Sequence, residues 1–186
     1  LHRGLYAAAD GLHNGNPEER RHVNYVINMT NMLKHKGLDM ILVFDGRPLP
    51  PKLSVMKERY LKRCEARVIA EMNVENGDSK AARKNMQKGN SVNSNMICLL
   101  VHELKKNKIK FMFAPYEADA QLAYLQKNKI IDAVITEDSD SLLFGTGEIW
   151  TKMKREGTTF QFKKIKLCNV LRAEDSPFCG FTIKHL

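Results

Sequence analysis

The sequence predicts an α/β fold in which helices cover a central, mainly parallel sheet. Segments with apolar residues at helical spacing alternate with short, unbroken apolar runs. Such runs are typical of strands buried on both faces of a parallel sheet. A basic segment interrupts this alternation between Arg47 and Asn90 and has few large apolar residues. We therefore expect a single core, residues 1–186, from which a helical insertion, residues 47–90, projects.

The first elements are a helix and a strand. Asn16 and Pro17 are typical of a helix N-cap and first turn, and apolar residues then recur at helical spacing until Gly37 ends the helix. The run Met40 to Phe44, followed by Asp45, predicts a buried strand.

The alternation resumes after the basic segment, where apolar spacing and turn residues predict helices and strands in turn. The insertion itself predicts two helices, from Lys52 to Met72 and from Ser79 to Gln87, with a break at Asn76 and Gly77. The remaining predicted elements are a helix at Val92 to Lys106, a strand at Lys110 to Ala114, a helix at Tyr116 to Gln126, a strand at Ala133 to Thr136, and a hairpin of Glu148 to Met153 with Thr158 to Phe162.

Charge favours a polyanionic partner. The 186 residues have a net charge of +9 and a pI near 9.4. The segment from Arg47 to Lys88 contains eleven Lys or Arg against five Asp or Glu, so the basic excess is local. No apolar run is long enough to cross a bilayer, and the four cysteines lack C-x-x-C spacing, so we expect neither a membrane protein nor a zinc site.

Acidic residues follow three of the predicted strands directly. Asp45 follows the first, Glu117 and Asp119 follow the second, and Asp138 and Asp140, with Glu137, follow the third. Ligands of open α/β sheets bind at the carboxyl ends of the strands, so these acids are expected to share one edge. All-oxygen ligands suit Mg²⁺ or Mn²⁺, and a pair of such ions is a common device for phosphodiester hydrolysis.

Helix capping is the alternative interpretation of each single acid. An Asp after a strand is often an N-cap, and acids in a first helical turn are favoured by the helix dipole. The same signature at three strand ends favours the metal site.

Three motifs carry a resemblance to a known family. They are Val43-Phe44-Asp45-Gly46, then Ala114-Pro115-Tyr116-Glu117-Ala118-Asp119-Ala120-Gln121, and then Thr136-Glu137-Asp138-Ser139-Asp140 with Phe144-Gly145 behind. In order and spacing they are similar to blocks of the structure-specific 5′ nucleases, the flap-endonuclease family. The forms Y-E-A-D-A-Q and T-E-D-S-D resemble the exonuclease branch of that family more than the flap-endonuclease branch. The resemblance implies a PIN-like nuclease core with a projecting basic helical arch.

The resemblance also implies roles for single residues. The metal carboxylates would be Asp45, Glu117, Asp119, Asp138 and Asp140, holding two Mg²⁺ ions for which Mn²⁺ can substitute. Lys52 and Arg59 match the basic pair at the base of the arch, which reaches the scissile phosphate, and Asp45 completes the set expected to act in catalysis. The DNA-binding residues would be His2, Lys52, Arg59, Lys62, Arg63, Arg83 and Lys152.

A solvated basic helix face is the alternative for the arch residues. Lys52, Arg59 and Arg63 lie at i, i+7 and i+11, which places them on one stripe of a helix. Both the DNA-binding and the solvated-face interpretation are compatible with this stripe. For Lys152, the alternative is an exposed lysine on an edge strand.

Two further family carboxylates would lie just outside the sequence, one upstream of Leu1 and one downstream of Leu186. A helix-two-turn-helix that binds duplex and K⁺ would also lie downstream. We therefore expect a core truncated at both ends, whose activity as an isolated chain is in question.

The function expected is that of a magnesium-dependent 5′ to 3′ exonuclease and 5′ flap endonuclease. Its partners would be duplex DNA with 5′ ends, gaps or flaps, and repair proteins bound through regions outside this chain. We expect a nuclear monomer that works in mismatch repair and end resection. The alternative is a catalytically inactive DNA-binding fragment or scaffold. A receiver domain phosphorylated on Asp45 is disfavoured by the basic insertion, and a P-loop enzyme by the lack of its motif.

Overall fold

The structure, a computed structural model, describes residues 20–157 and 159–174 and forms two compact units. Of these residues, 20–42 and Pro50–Phe111 form the first unit, and Val43–Leu49, 112–157 and 159–174 form the second. The expected helix start at Asn16 and the tail beyond residue 174 lie outside the described residues.

A helix pair forms the core of the first unit. Helix α1, Arg21–His35, packs against a later helix, Ser94–Lys106, which is the fourth in chain order. Apolar residues at helical spacing are buried on both, among them Leu100 and Leu104 with no exposed surface. The burial of this apolar stripe stabilises both helices and confirms the helical interpretation of the two segments.

The basic segment folds into a helical hairpin. After a 3₁₀ turn at Pro50–Lys52, helix α2, Leu53–Glu75, packs against α3, Ser79–Gly89. The break is set by Gly77, whose φ is +74°, and by Asp78, whose Oδ1 accepts a hydrogen bond from Ala81 N at 2.9 Å. The two predicted helices and their break are confirmed.

Small residues allow the two helices of this hairpin to approach closely. Ala66, Ala70 and Ala82 are buried, and a Cβ on Gly89 would lie 2.6 Å from Arg67 Cγ. Arg67 Nε donates to Gly89 O at 2.9 Å and so joins the two helices.

Helix α4, Ser94–Lys106, leads into the second strand of a two-stranded sheet. Strand β1, Ile41–Phe44, pairs with β2, Lys110–Phe113. Phe44 is buried, but Ile41, Leu42 and Val43 are half-buried. The expectation of a strand buried on both faces is therefore wrong for β1, because an apolar run does not show how completely other elements will cover its two faces.

The second unit contains a three-stranded sheet. Strand β3, Val134–Ile135, pairs in parallel with β4, Glu148–Glu156, which pairs in antiparallel with β5, Thr159–Lys166. Val134 and Ile149 are adjacent in register, and each is 1% exposed. The predicted hairpin is confirmed, although β4 continues further toward the turn than expected and β5 continues further beyond Phe162.

Helices flank this sheet in the chain. Helix α5, Ala118–Lys127, precedes β3, a 3₁₀ turn spans Ser139–Leu142, and α6, Leu167–Arg172, follows β5. The alternation of helices with parallel strand pairs confirms the α/β class. Across residues 20–157 and 159–174, none of the helices combines the length and apolar character that crossing a bilayer requires.

Gln126 joins helix α5 to the start of β4. Its Oε1 accepts hydrogen bonds from Gly147 N at 2.6 Å and Glu148 N at 3.1 Å. Its Nε2 donates to Glu148 O at 2.9 Å and Asp132 O at 3.0 Å. One side chain thus satisfies four backbone groups of two other segments.

We predict that Gln126→Ala lowers the free energy of unfolding by about 2–3 kcal/mol, because it leaves partly buried backbone groups without partners. Urea denaturation followed by circular dichroism measures this loss. Lys127→Ala, one position along the same helix and exposed, is the matched control and should change stability by less than about 0.5 kcal/mol. Equal effects of the two substitutions would contradict the structural role of Gln126.

Candidate metal and nucleic-acid site

A tight turn after β1 positions Asp45. Phe44 O accepts from Ala114 N at 2.8 Å, and Gly46 N donates to Tyr116 O at 2.6 Å. Both bonds advance in the same direction along the two segments, as in parallel pairing. A Cβ on Gly46 would overlap Ala114 O and lie 2.7 Å from Pro115 O, so only glycine allows this approach.

Asp45 and the first turn of α5 face each other across this turn. Asp45 Oδ1 accepts a hydrogen bond from Ala118 N at 2.9 Å. Glu117 is the N-cap residue of α5, and its side chain makes no capping hydrogen bond. Asp119 follows within the first turn. Asp45 therefore does cap a helix, as the alternative interpretation expects, and it does so with one carboxylate oxygen.

The third group of acids follows β3. Asp138 N donates to Thr136 Oγ1 at 3.0 Å, and Asp138 Oδ1 accepts from Asp140 N at 3.0 Å. These bonds hold the segment in a turn that enters the 3₁₀ helix, with Asp138 as its N-cap. Both Asp138 and Asp140 are exposed.

Electrostatics links all five predicted carboxylates. Asp119 is half-buried, and burial raises its pKa above the usual value for Asp. The negative charges of Asp138, Asp45, Asp140 and Glu117, in that order, raise the pKa of Asp119 further. All five carboxylates belong to the second unit. The acids that follow three different strands therefore lie within electrostatic range of Asp119.

The donor chemistry of this carboxylate cluster fits a hard divalent cation, because every candidate ligand is a carboxylate oxygen. The local charge fits a cation as well, since the negative charges of four other carboxylates act on Asp119. Among residues 20–157 and 159–174, no three His, Cys, Asp or Glu side chains are arranged closely enough to hold an ion together. Binding an ion would therefore require the carboxylates to move toward each other.

Glu137 lies between the strand and the carboxylate cluster and contacts the neighbouring strand. Its Oε2 accepts from Lys152 N at 3.3 Å and Thr151 Oγ1 at 3.4 Å. From the sequence, Glu137 was recognised as one of the acids of this motif, but no function was predicted for it. Its position between Thr136 and Asp138 is the one signal in the sequence that singles it out.

The arch residues belong to the first unit. Lys52 is the N-cap residue of α2, and Arg59, Lys62 and Arg63 follow on the same helix. Lys62 Nζ lies 2.6 Å from Glu58 Oε1, and both side chains are exposed. This hydrogen bond to Glu58 raises the pKa of Lys62. Arg83 lies on α3 and is exposed, whereas His2 lies outside the described residues.

A known protein family matches a stretch of the chain that includes much of the second unit. Residues 108–181 match the family described as the XPG I-region. This stretch includes four of the five carboxylates, Glu117, Asp119, Asp138 and Asp140.

Curated relatives match the whole chain. Exonuclease 1 of Oryza sativa subsp. japonica is 38% identical over 188 residues, covering 100% of this chain and 22% of the relative. Exonuclease 1 of Arabidopsis thaliana is 38% identical over 186 residues, covering 100% of this chain and 25% of the relative. Exodeoxyribonuclease 1 of Schizosaccharomyces pombe is 35% identical, covering 91% and 29%. The chain spans about a quarter of the length of these relatives.

Solved structures support the fold. The catalytic core of Rad2 in complex with DNA substrate has a TM-score of 0.62 and 23% identity, covering 90% of this chain and 46% of that chain. Human GEN1 in complex with Holliday junction DNA has a TM-score of 0.57 and 15% identity, covering 84% and 34%. The expected nuclease-core fold is confirmed by these likenesses. The chain is therefore similar over its whole length to part of the exonuclease 1 proteins, and residues 108–181 match the XPG I-region family.

Proposed function

We propose that this chain is the catalytic core of a divalent-metal-dependent 5′ nuclease that hydrolyses phosphodiester bonds in DNA. The observation that carries the proposal is the placement of carboxylates at three strand ends, where Asp45 accepts from Ala118 N, Asp138 accepts from Asp140 N, and the charges of the other four acids act on Asp119. The names of its relatives, exonuclease 1 and exodeoxyribonuclease 1, support the same activity.

The carboxylates would hold two ions, Mg²⁺ or Mn²⁺, through Asp45, Glu117, Asp119, Asp138 and Asp140. When bound, such ions stabilise the negative charge that develops on the reacting phosphate oxygens. The protein's own part is to fix the ligands. The bonds from Ala118 N to Asp45 and from Asp140 N to Asp138 hold one oxygen of each carboxylate and so limit how these side chains can turn.

The basic hairpin of α2 and α3 supplies positive charge for DNA phosphates. We assign Lys52 and Arg59 to contacts with the scissile phosphate, and Lys62, Arg63 and Arg83 to phosphates of the backbone. Lys62 would exchange its ion pair with Glu58 for a phosphate, at small cost because exposed pairs of this kind contribute little. Lys152 and His2 complete the proposed DNA contacts.

The proposed substrates are duplex DNA with 5′ ends, gaps or flaps, cut in the 5′ to 3′ direction. The relatives' names support a role in DNA metabolism, from which we infer a nuclear location and work in mismatch repair and end resection. We further propose that the protein acts as a monomer.

One prediction of the proposed function concerns charge repulsion in the carboxylate cluster. A folded-state pKa of Asp119 above its unfolded value means that ionising Asp119 destabilises the folded protein. The destabilisation is absent below the unfolded pKa and fully present above the folded pKa. Asp119→Asn should therefore raise Tm in EDTA at pH 7 and lose this advantage at acidic pH, as measured by differential scanning fluorimetry across pH.

Divalent ions should reverse the order of the two Tm values, so that the wild type becomes more stable than Asp119→Asn. Saturating Mg²⁺ or Mn²⁺ should stabilise the wild-type protein by about 2.7 kcal/mol at 100 times its Kd, and should stabilise Asp119→Asn much less. Glu156→Gln, an exposed acid on β4 outside the carboxylate cluster, is the control and should follow the wild type. Equal metal stabilisation of Asp119→Asn and wild type would argue against Asp119 as a ligand.

The second prediction tests the activity. In the full-length protein, Asp138→Ala should lower cleavage of an end-labelled 5′-recessed duplex by at least 100-fold, because it removes a metal ligand, while DNA affinity and the circular dichroism spectrum stay close to wild type. EDTA should abolish wild-type cleavage. Undiminished cleavage by Asp138→Ala would refute the metal assignment, and a wild type that binds duplex without cutting it would favour the scaffold alternative.

A further inference from the structure

A β-bulge lies in strand β4 beside the carboxylate cluster. Thr151 is paired with Lys163, but Lys154 is paired with Gln161. Lys152 and Met153 therefore lie opposite the single residue Phe162. Bulges of two residues against one disrupt the ladder locally and often redirect a side chain next to an active site.

Lys152 adopts an uncommon backbone conformation in this bulge. Its φ is +52°, in the left-handed region that disfavours residues with a Cβ. Lys108 and Lys129 have similar φ values, but they follow the ends of helices α4 and α5, where this conformation is common. Within the described ranges, Lys152 is the one non-glycine residue that adopts it inside a strand.

Glu137 stabilises the bulge from the neighbouring segment. Its Oε2 accepts from Lys152 N at 3.3 Å and from Thr151 Oγ1 at 3.4 Å. Strand pairing brings the two segments together, since Thr136 N donates to Trp150 O at 3.1 Å. The carboxylate thereby supplies an acceptor for the backbone N–H of the bulged residue.

We propose that Glu137 is a positioning residue that holds the bulge so that Lys152 contacts a DNA phosphate. The strained conformation favours glycine, yet the residue here is a lysine in a strand that borders the acidic segment. Strain of this kind persists where the surrounding structure fixes it, and it concentrates at functional sites. Glu137 acts through hydrogen bonds to the bulge, not as a metal ligand. The inference rests on the proposed nuclease function.

A double-mutant cycle in the full-length protein tests this role. Lys152→Ala should weaken binding to a 5′-recessed duplex about 10-fold and reduce the slope of log affinity against log salt by about one. Glu137→Ala should reproduce both effects. The double variant should be no weaker than either single variant, because Glu137 acts through Lys152.

Conservative variants and controls separate positioning from other roles. Glu137→Gln keeps an oxygen acceptor of the same reach and should bind DNA better than Glu137→Ala. Glu156→Ala removes an acid from β4, the strand that contains Lys152, and should not weaken DNA binding. If Glu137→Ala fails to fold, Glu137→Asp, which shortens the reach of the carboxylate, takes its place in the cycle.

Three outcomes would overturn the proposal. Losses that multiply to about 100-fold in the double variant would show that the two residues act independently. Loss of the Mn²⁺-induced rise in Tm in Glu137→Gln would show that Glu137 acts on the metal instead. A wild type that neither binds nor cuts duplex would refute the proposed function together with the inference, whereas an active wild type with multiplying losses would refute only the inference.

Discussion

Mutual repulsion among carboxylates is the constraint on which the rest of the second unit depends. Burial and four like charges raise the pKa of Asp119, so the carboxylates that follow three strand ends repel one another in the folded protein. A fold keeps such an arrangement only if other contacts offset its cost. This repulsion favours the binding of divalent cations, and so connects the fold to the proposed chemistry.

Backbone hydrogen bonds hold the acids in place against this repulsion. The bond from Ala118 N to Asp45 ties the end of β1 to helix α5, and the bond from Asp140 N to Asp138 fixes the turn after β3. Gln126 anchors the opposite end of α5 to the start of β4. Capping and metal binding are thus compatible roles, because a cap uses one oxygen of a carboxylate and leaves the other for an ion.

The sequence predicted the features that depend on local pattern. The strand ends and the acids after them follow from short apolar runs, and the helical hairpin follows from spacing and from Asn76 and Gly77. The sequence did not predict the C-terminal residues of β4 and β5, which include several charged residues. These residues are mostly exposed, so they need not alternate with apolar residues. Burial of β1 was overestimated, because an apolar run does not reveal which elements will cover its two faces.

Features that depend on pairing between distant segments could not be predicted. The bulge at Lys152 exists only in the register that β4 adopts with β5. The four bonds of Gln126 reach backbone groups 6 to 22 residues away, and a glutamine at the end of a helix gives no sign of them. Glu137 was recognised as an acid, but its role depends on the same register.

Diffraction from crystals soaked in MnCl₂ tests the central claim most directly, because the anomalous signal locates manganese independently of any assumed ligand. The account predicts two anomalous peaks roughly 3.5–4 Å apart, bound by carboxylates from Asp45, Glu117, Asp119, Asp138 and Asp140. Crystals of Asp138→Ala soaked in the same way should lack at least one of the two anomalous peaks. Manganese bound at other residues only, or no ordered manganese at saturating concentration, would contradict the account.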